Sequence, residues 1–220
     1  DLKPANEEDL YFYRGMGASY LCMASKAGID FSTAIGVAAA TYVQVLEGKH
    51  GGLIEELGDK KLEREQLFKG AEFQIVEAAL KYCPDSIPED IKIEVQELIE
   101  DSEPEPSHDN KKLKPANEED LYFYRGMGAS YLCMASKAGI DFSTAIGVAA
   151  ATYVQVLEGK HGGLIEELGD KKLEREQLFK GAEFQIVEAA LKYCPDSIPE
   201  DIKIEVQELI EDSEPEPNPD

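Results

Sequence analysis

Few side chains in this sequence are placed where they could do chemistry together. Between Leu2 and Pro106 there is one histidine, His50, and two cysteines, Cys22 and Cys83, which are 61 positions apart. Zinc and di-iron centres need clustered ligands, such as two histidines one helical turn apart or cysteine pairs with short gaps. Glu72 and Glu77 lack the Glu-x-x-His companion of a di-iron bundle. No metal and no cofactor is therefore expected. A nucleophilic pair of His50 with either cysteine would need an activated thiolate, and nothing around Cys22 or Cys83 supplies one. Both cysteines lie in apolar stretches and are expected to be buried reduced thiols, and His50 an exposed turn residue. Gly51-Gly52 is followed by no Lys-Ser/Thr and preceded by no strand, so it reads as a turn rather than a phosphate cradle. No catalytic residue is assigned.

One segment is rich in recognition chemistry: Tyr11-Phe12-Tyr13-Arg14. Four successive helical positions point in different directions, so these side chains cannot all enter one core. At least one aromatic must stand at the surface or at an interface, where tyrosine and arginine combine apolar area with directional hydrogen bonds. These four residues, with Tyr122, Phe123, Tyr124 and Arg125, are the expected partner-binding set.

The second set exists because the chain repeats itself. Leu2 to Pro106 recurs as Leu113 to Pro217 without one difference, loops and acidic tails included. Surface positions drift readily in natural duplications, since most substitutions there change stability by less than about 0.5 kcal/mol. The reading is an engineered single-chain fusion, with a very recent gene duplication as the alternative. Ser107 to Lys112 then reads as a natural amino-terminal arm without its initiating methionine.

The elements that must carry these residues are helical. Asn6 followed by Glu7, Glu8 and Asp9 is an N-cap with a dipole-complementing first turn. Apolar spacing predicts helices over 6–27, 31–47, 59–83 and 88–101, and the same set 111 residues later. The stripe of the third includes Leu62, Leu67, Ala71, Ile75, Ala78 and Tyr82. The fourth would bury Ile91, Val95, Leu98 and Ile99, although alternation of Ile91, Ile93 and Val95 leaves a strand open there. Gly15, Gly17, Ala18 and Ser19 offer a small-residue face for close helix approach, and the second helix has almost no polar face. Either could carry a two-fold contact. The expected fold is all-α: a bundle of about four helices per copy, paired about a pseudo-two-fold axis. The expected units are 2–101 and 118–212, with 102–117 as linker and 213–220 as an acidic tail.

The chain holds 22 Lys and Arg against 45 Asp and Glu, a net charge of −23. Phosphate backbones and anionic membrane surfaces would be repelled, so direct nucleic-acid or membrane binding is not expected. No leader is apparent, and the longest apolar run, residues 34–46, is too short to span a bilayer. The expected location is cytoplasmic. The leading functional expectation is a non-enzymatic dimeric interaction protein, an adaptor, assembly chaperone or regulator, with an unidentified protein partner. Alternatives are a helical carrier of a hydrophobic ligand or pigment, an enzyme, and an acidic DNA mimic.

Overall fold

The computed structural model describes residues 2–58, 60–100, 113–169 and 171–213. Each copy contributes four α-helices: α1 (Glu7–Lys26), α2 (Phe31–His50), α3 (Arg64–Tyr82) and α4 (Glu89–Glu100), then α5 (Glu118–Lys137), α6 (Phe142–His161), α7 (Arg175–Tyr193) and α8 (Glu200–Ser213). Among the described residues there is no strand, only isolated bridges pairing Ala5 with Ile54 and Ala116 with Ile165. The segment 91–95 is helical, as apolar spacing at 3.6 residues requires once α4 rests on α3.

Local chemistry sets the ends. The Asn6 side chain accepts from the Asp9 amide at 2.9 Å while the Asp9 carboxylate accepts from the Asn6 amide at 3.1 Å, a reciprocal cap that satisfies two amides. Asp30 caps α2 through the Thr33 amide at 3.0 Å. Apolar spacing ends α2 at residue 47, but the helix runs on to His50 and closes at Gly51, whose φ of 64° is the left-handed conformation that favours glycine. The third helix starts at Arg64 rather than at 59, because Glu63 and Gln66 form the capping pair there.

The centre of the molecule is a four-helix assembly of α1, α2, α5 and α6 in which α2 packs on α5 and α1 on α6. Flanking it, α3 lies across α1 and α2, and α7 across α5 and α6. The helix-2 face that has no polar side is thereby covered from both directions: Ala34, Ala38, Ala39 and Val43 are fully buried. The small-residue face of α1 serves a different contact from the one expected of it. A Cβ on Gly17 would lie 2.5 Å from Cγ1 of Ile75, so this glycine admits α3 of its own copy. The aromatic side of α1 meets the second copy instead.

Two further expectations are corrected here. Residues 113–117 were assigned to the linker, yet Ala116 is buried and its amide donates to the Leu164 carbonyl at 2.9 Å. The end of the arm is thus part of the second unit, just as Ala5 is part of the first; the rest of the linker and the tail from 214 lie outside the described residues. In α4, Val95 is buried and Ile91 and Ile99 half-buried, but Leu98 is 53% exposed. The fourth helix rests on α3 along a narrow line.

Gly17→Leu together with Gly128→Leu should lower unfolding free energy by about 1–3 kcal/mol per copy through overpacking against Ile75 and Ile186. Gly15→Ala with Gly126→Ala, where a Cβ meets nothing within 4 Å, should raise it by about 0.5–1 kcal/mol per copy through helix propensity. Urea denaturation of both pairs checks the contrast, and equal effects would contradict this packing of α1.

Candidate functional site

The Tyr-Phe-Tyr-Arg segment occupies the second turn of α1, and its four side chains go to three different places, Tyr11 and Arg14 sharing one. Phe12 points across the two-fold axis. Its ring centroid is 5.3 Å from that of Phe123 and 5.8 Å from that of Tyr124, and Tyr13 reciprocally lies 5.8 Å from Phe123. Each phenylalanine is capped by a lysine of the opposite copy: Lys160 Nζ sits 4.6 Å above Phe12 and Lys49 Nζ 4.7 Å above Phe123. The ring quadrupole attracts the ammonium group, and each contact is worth about 0.5–2 kcal/mol depending on desolvation. Seven residues further along, about 10 Å at 1.5 Å per residue, Tyr20 and Tyr131 stack with centroids 4.4 Å apart and planes 12° from parallel. An aromatic seam therefore joins the copies.

Tyr13 itself is buried in its own copy, edge-on to Tyr42, with its hydroxyl 2.7 Å from Nε2 of His50. The other ring nitrogen, Nδ1, is 2.8 Å from the Lys3 carbonyl. A carbonyl only accepts, so in the neutral ring Nδ1–H donates to it and Nε2 accepts from the Tyr13 hydroxyl. His50, expected in an exposed turn, is 4% exposed and ties the amino-terminal segment, α1 and α2 together. The physical reason is the extra helical turn to Gly51, which carries residue 50 round to the core side. Burial, with a smaller contribution from Asp9, pushes the Tyr13 hydroxyl well above its ordinary pKa.

Tyr13 and Tyr124 are thus corrected as candidates for contact with an outside partner, since each is 1% exposed. Phe12 and Phe123 engage the other copy. Tyr11 and Tyr122 are exposed, and Arg14 and Arg125 are half-buried beside them. Each arginine stacks on its tyrosine, with the guanidinium carbon 4.7 Å from Tyr11 and 4.8 Å from Tyr122. Beside them, at the end of α3, Tyr82 is 68% exposed, and its repeat Tyr193 at the end of α7 is 67% exposed. The stripe places Tyr82 in the core, but it is the last residue of α3 and its side chain stands at the surface beside Tyr11 and Arg14. Tyr11, Arg14, Lys81 and Tyr82 line one shallow dent with Gly15 in its floor.

The cysteines require the largest correction. Cys22 is bonded to Cys83 and Cys133 to Cys194, each pair with Cα atoms 5.8 Å apart. Both cysteines were placed in helices and judged as thiols in apolar surroundings; the decisive fact is that α3 ends beside the last turn of α1. Helix periodicity carries no signal of that crossing. Among the described residues no group of three or more His, Cys, Asp or Glu side chains could hold a metal ion.

The seam and the surface patch sit within one recognisable sequence unit. Residues 8–106 and 119–217 each match a domain of unknown function, DUF8650. The chain belongs to that family. No curated protein and no solved structure matches it. The family's boundaries coincide with the copies, so both halves of the seam are supplied by the DUF8650 unit.

Replacing Cys22 and Cys83, with Cys133 and Cys194, by alanine should destabilise each unit by about 2–5 kcal/mol. Thiol titration of the unfolded, unreduced protein should find no free thiol, and detection of four would show that the pairs do not form.

Proposed function

We propose that this chain is a non-enzymatic protein-interaction module, an adaptor, assembly chaperone or regulator, whose working form is a two-fold pair of DUF8650 units. The observation that carries the reading is the surface patch of Tyr11, Arg14 and Tyr82, repeated as Tyr122, Arg125 and Tyr193. A stacked arginine and tyrosine beside a second, largely exposed tyrosine is the composition of interface hot spots. Two tyrosines held out in this way contribute little to the core, and the two-fold axis presents the patch twice. A partner that reaches both copies gains an effective-concentration advantage without any new contact.

The reciprocal seam supports self-association as the native state of the unit. Every contact made by Phe12 on the second copy is returned by Phe123 on the first, as an isologous interface demands. The charge of −23 supports a protein partner over nucleic acid. No helix among the described residues is long and apolar enough to cross a membrane. The two disulfides support an oxidising compartment in place of the cytoplasmic location expected from the sequence.

Affinity capture from the source cells with the intact chain should retain a protein that is lost when Tyr82 and Tyr193 are changed to alanine. Truncating a hot-spot aromatic costs at least about 2 kcal/mol, some thirtyfold in affinity. Arg14→Ala with Arg125→Ala should act in the same direction. Helix content by circular dichroism should stay that of the parent chain. If these folded variants capture the same proteins with equal strength, the patch is not the docking surface.

A further inference from the structure

The docking patch is assembled from two parts of the fold. Tyr11 and Arg14 stand on α1, whose Tyr13, Met16, Gly17 and Tyr20 are buried in the core. Lys81 and Tyr82, which complete the dent, rest on a weaker support. Between the buried Ala79 and the buried Ile87 no residue is buried, and Leu80 and Cys83 pack only partly against the core. The backbone bonds here stay local: the Cys83 amide donates to the Ala79 carbonyl at 2.8 Å, the Ser86 amide to the Cys83 carbonyl at 2.9 Å, and the Ile87 amide to the Pro84 carbonyl at 3.2 Å. What fastens residues 80–86 to α1 covalently is the bond from Cys83 to Cys22. Residues 191–197 repeat the arrangement, with Cys194 bonded to Cys133.

The two sulfurs of each bond differ in their surroundings. Cys22 is 5% exposed among the packed last turns of α1, whereas Cys83 is half-buried between the exposed Tyr82 and Pro84. Exchange requires a thiolate to approach one sulfur, so attack is directed to Cys83. Segments with few buried apolar contacts open locally, at a fraction of the free energy of global unfolding. The buried side chains of α1, α2 and α3 all lie outside residues 80–86. Opening the bond therefore leaves the core its packing and removes the support of one half of the patch.

We propose that the Cys22–Cys83 and Cys133–Cys194 bonds are redox latches for the patch of Tyr11, Arg14, Lys81 and Tyr82 and for its repeat. Oxidised, each bond holds Lys81 and Tyr82 (or Lys192 and Tyr193) against the first helix of its copy; reduced, it releases residues 80–86 (or 191–197) while the two-fold core stays folded. The reductant is a dithiol. One of its thiolates attacks Sγ of Cys83, the S–S bond breaks, and Cys22 leaves as a thiolate that takes up a proton. The second thiol then attacks the mixed disulfide, freeing Cys83 as a thiol and leaving the reductant as a disulfide. Two electrons pass from the dithiol to the protein bond, and the two protons of the dithiol end on the cysteines. The latch rests on the docking reading only for its consequence, loss of the partner on reduction. No partner enters the test below, so each can fail alone.

Hydrogen exchange of the intact chain, followed by mass spectrometry, decides the matter with dithiothreitol as reductant and no denaturant. Alkylation should count four new thiols per chain, two from each copy. Amides of 80–87 and 191–198 should then exchange at least about tenfold faster than in the oxidised chain, while those of 34–46 and 145–157 change by less than about twofold. Reoxidation with oxidised glutathione should restore the slow rates. Changing Cys22, Cys83, Cys133 and Cys194 together to alanine should give the fast segment and the slow core without reductant, and dithiothreitol should change that variant no further. The inference is overturned if the native chain resists reduction, if residues 80–87 exchange at the same rate in both states, if the alanine variant keeps the segment slow, or if reduction or the alanine variant unfolds the core, as read by circular dichroism and by exchange over 34–46.

Discussion

The rest of the structure depends on the stack of Tyr20 on Tyr131. With ring centroids 4.4 Å apart at the axis, it joins α1 to α5 where the two copies meet, while α2 on α5 and α1 on α6 make the helix-to-helix contacts around it. Aromatic pairs of this kind add about 0.5–1.5 kcal/mol beyond the area they bury, so the stack orients the interface more than it powers it. The larger driving force is the apolar face of α2, which α3 covers on one side only. A single unit would leave that face, together with Phe12, against water. Pairing covers both at once, which is why a domain near the lower end of independent size is built to be doubled.

The stack also has a cost. The hydroxyls of Tyr20 and Tyr131 are buried without a hydrogen-bond partner, and burial, followed by the neighbouring tyrosine, pushes the Tyr20 hydroxyl far above its ordinary pKa. Two other buried phenols are satisfied, Tyr13 by His50 and Tyr42 by Gln74, whereas Thr152 Oγ1 is not. At the axis shape has taken precedence over polar pairing. Rigidity comes from elsewhere: the disulfide clamps the end of α3 to α1, and His50 clamps the amino-terminal segment to α2. Between those two clamps α1 is held at both ends, so the face carrying Phe12 and Tyr20 is presented to the second copy without further ordering.

How much of this the sequence reveals depends on the range of the interaction involved. The helices are legible because caps such as Asn6 with Asp9 and apolar spacing are local, and the doubled architecture is legible because the repeat is perfect. The proposal that Tyr11 to Arg14 must diverge is also local geometry, and it places one aromatic outside and one between copies. What the sequence does not show are events in which two distant elements meet. The Cys22–Cys83 bond depends on a crossing of α1 and α3, and the burial of His50 depends on one additional turn of α2 and on the Lys3 carbonyl reaching back to it. Tyr82 has the period of the core, yet as the last residue of α3 it stands at the surface, while Cys83 and Ile87 after it return to the core. Lys49 and Lys160 carry no sequence signal at all, because the rings they cover belong to the other copy.

The two copies are identical in sequence, yet their surfaces are not identical in form. Tyr122 is 60% exposed where Tyr11 is 41% exposed, and the space beside Tyr122 opens into a cleft of about 1160 Å³ between the copies whereas the dent beside Tyr11 measures about 80 Å³. In both copies the arginine stays stacked on its tyrosine, 4.7 Å and 4.8 Å from the ring centroids, and rotation of such surface side chains costs little and needs no helix to move. The aromatic wall, made of four rings locked across the axis, is common to both. A rigid wall behind an adjustable rim is the arrangement that holds a binding surface to one geometry while letting its mouth adapt. A buried seam and an exposed patch lie within a single helical turn, and the seam sets the position in which the patch is held.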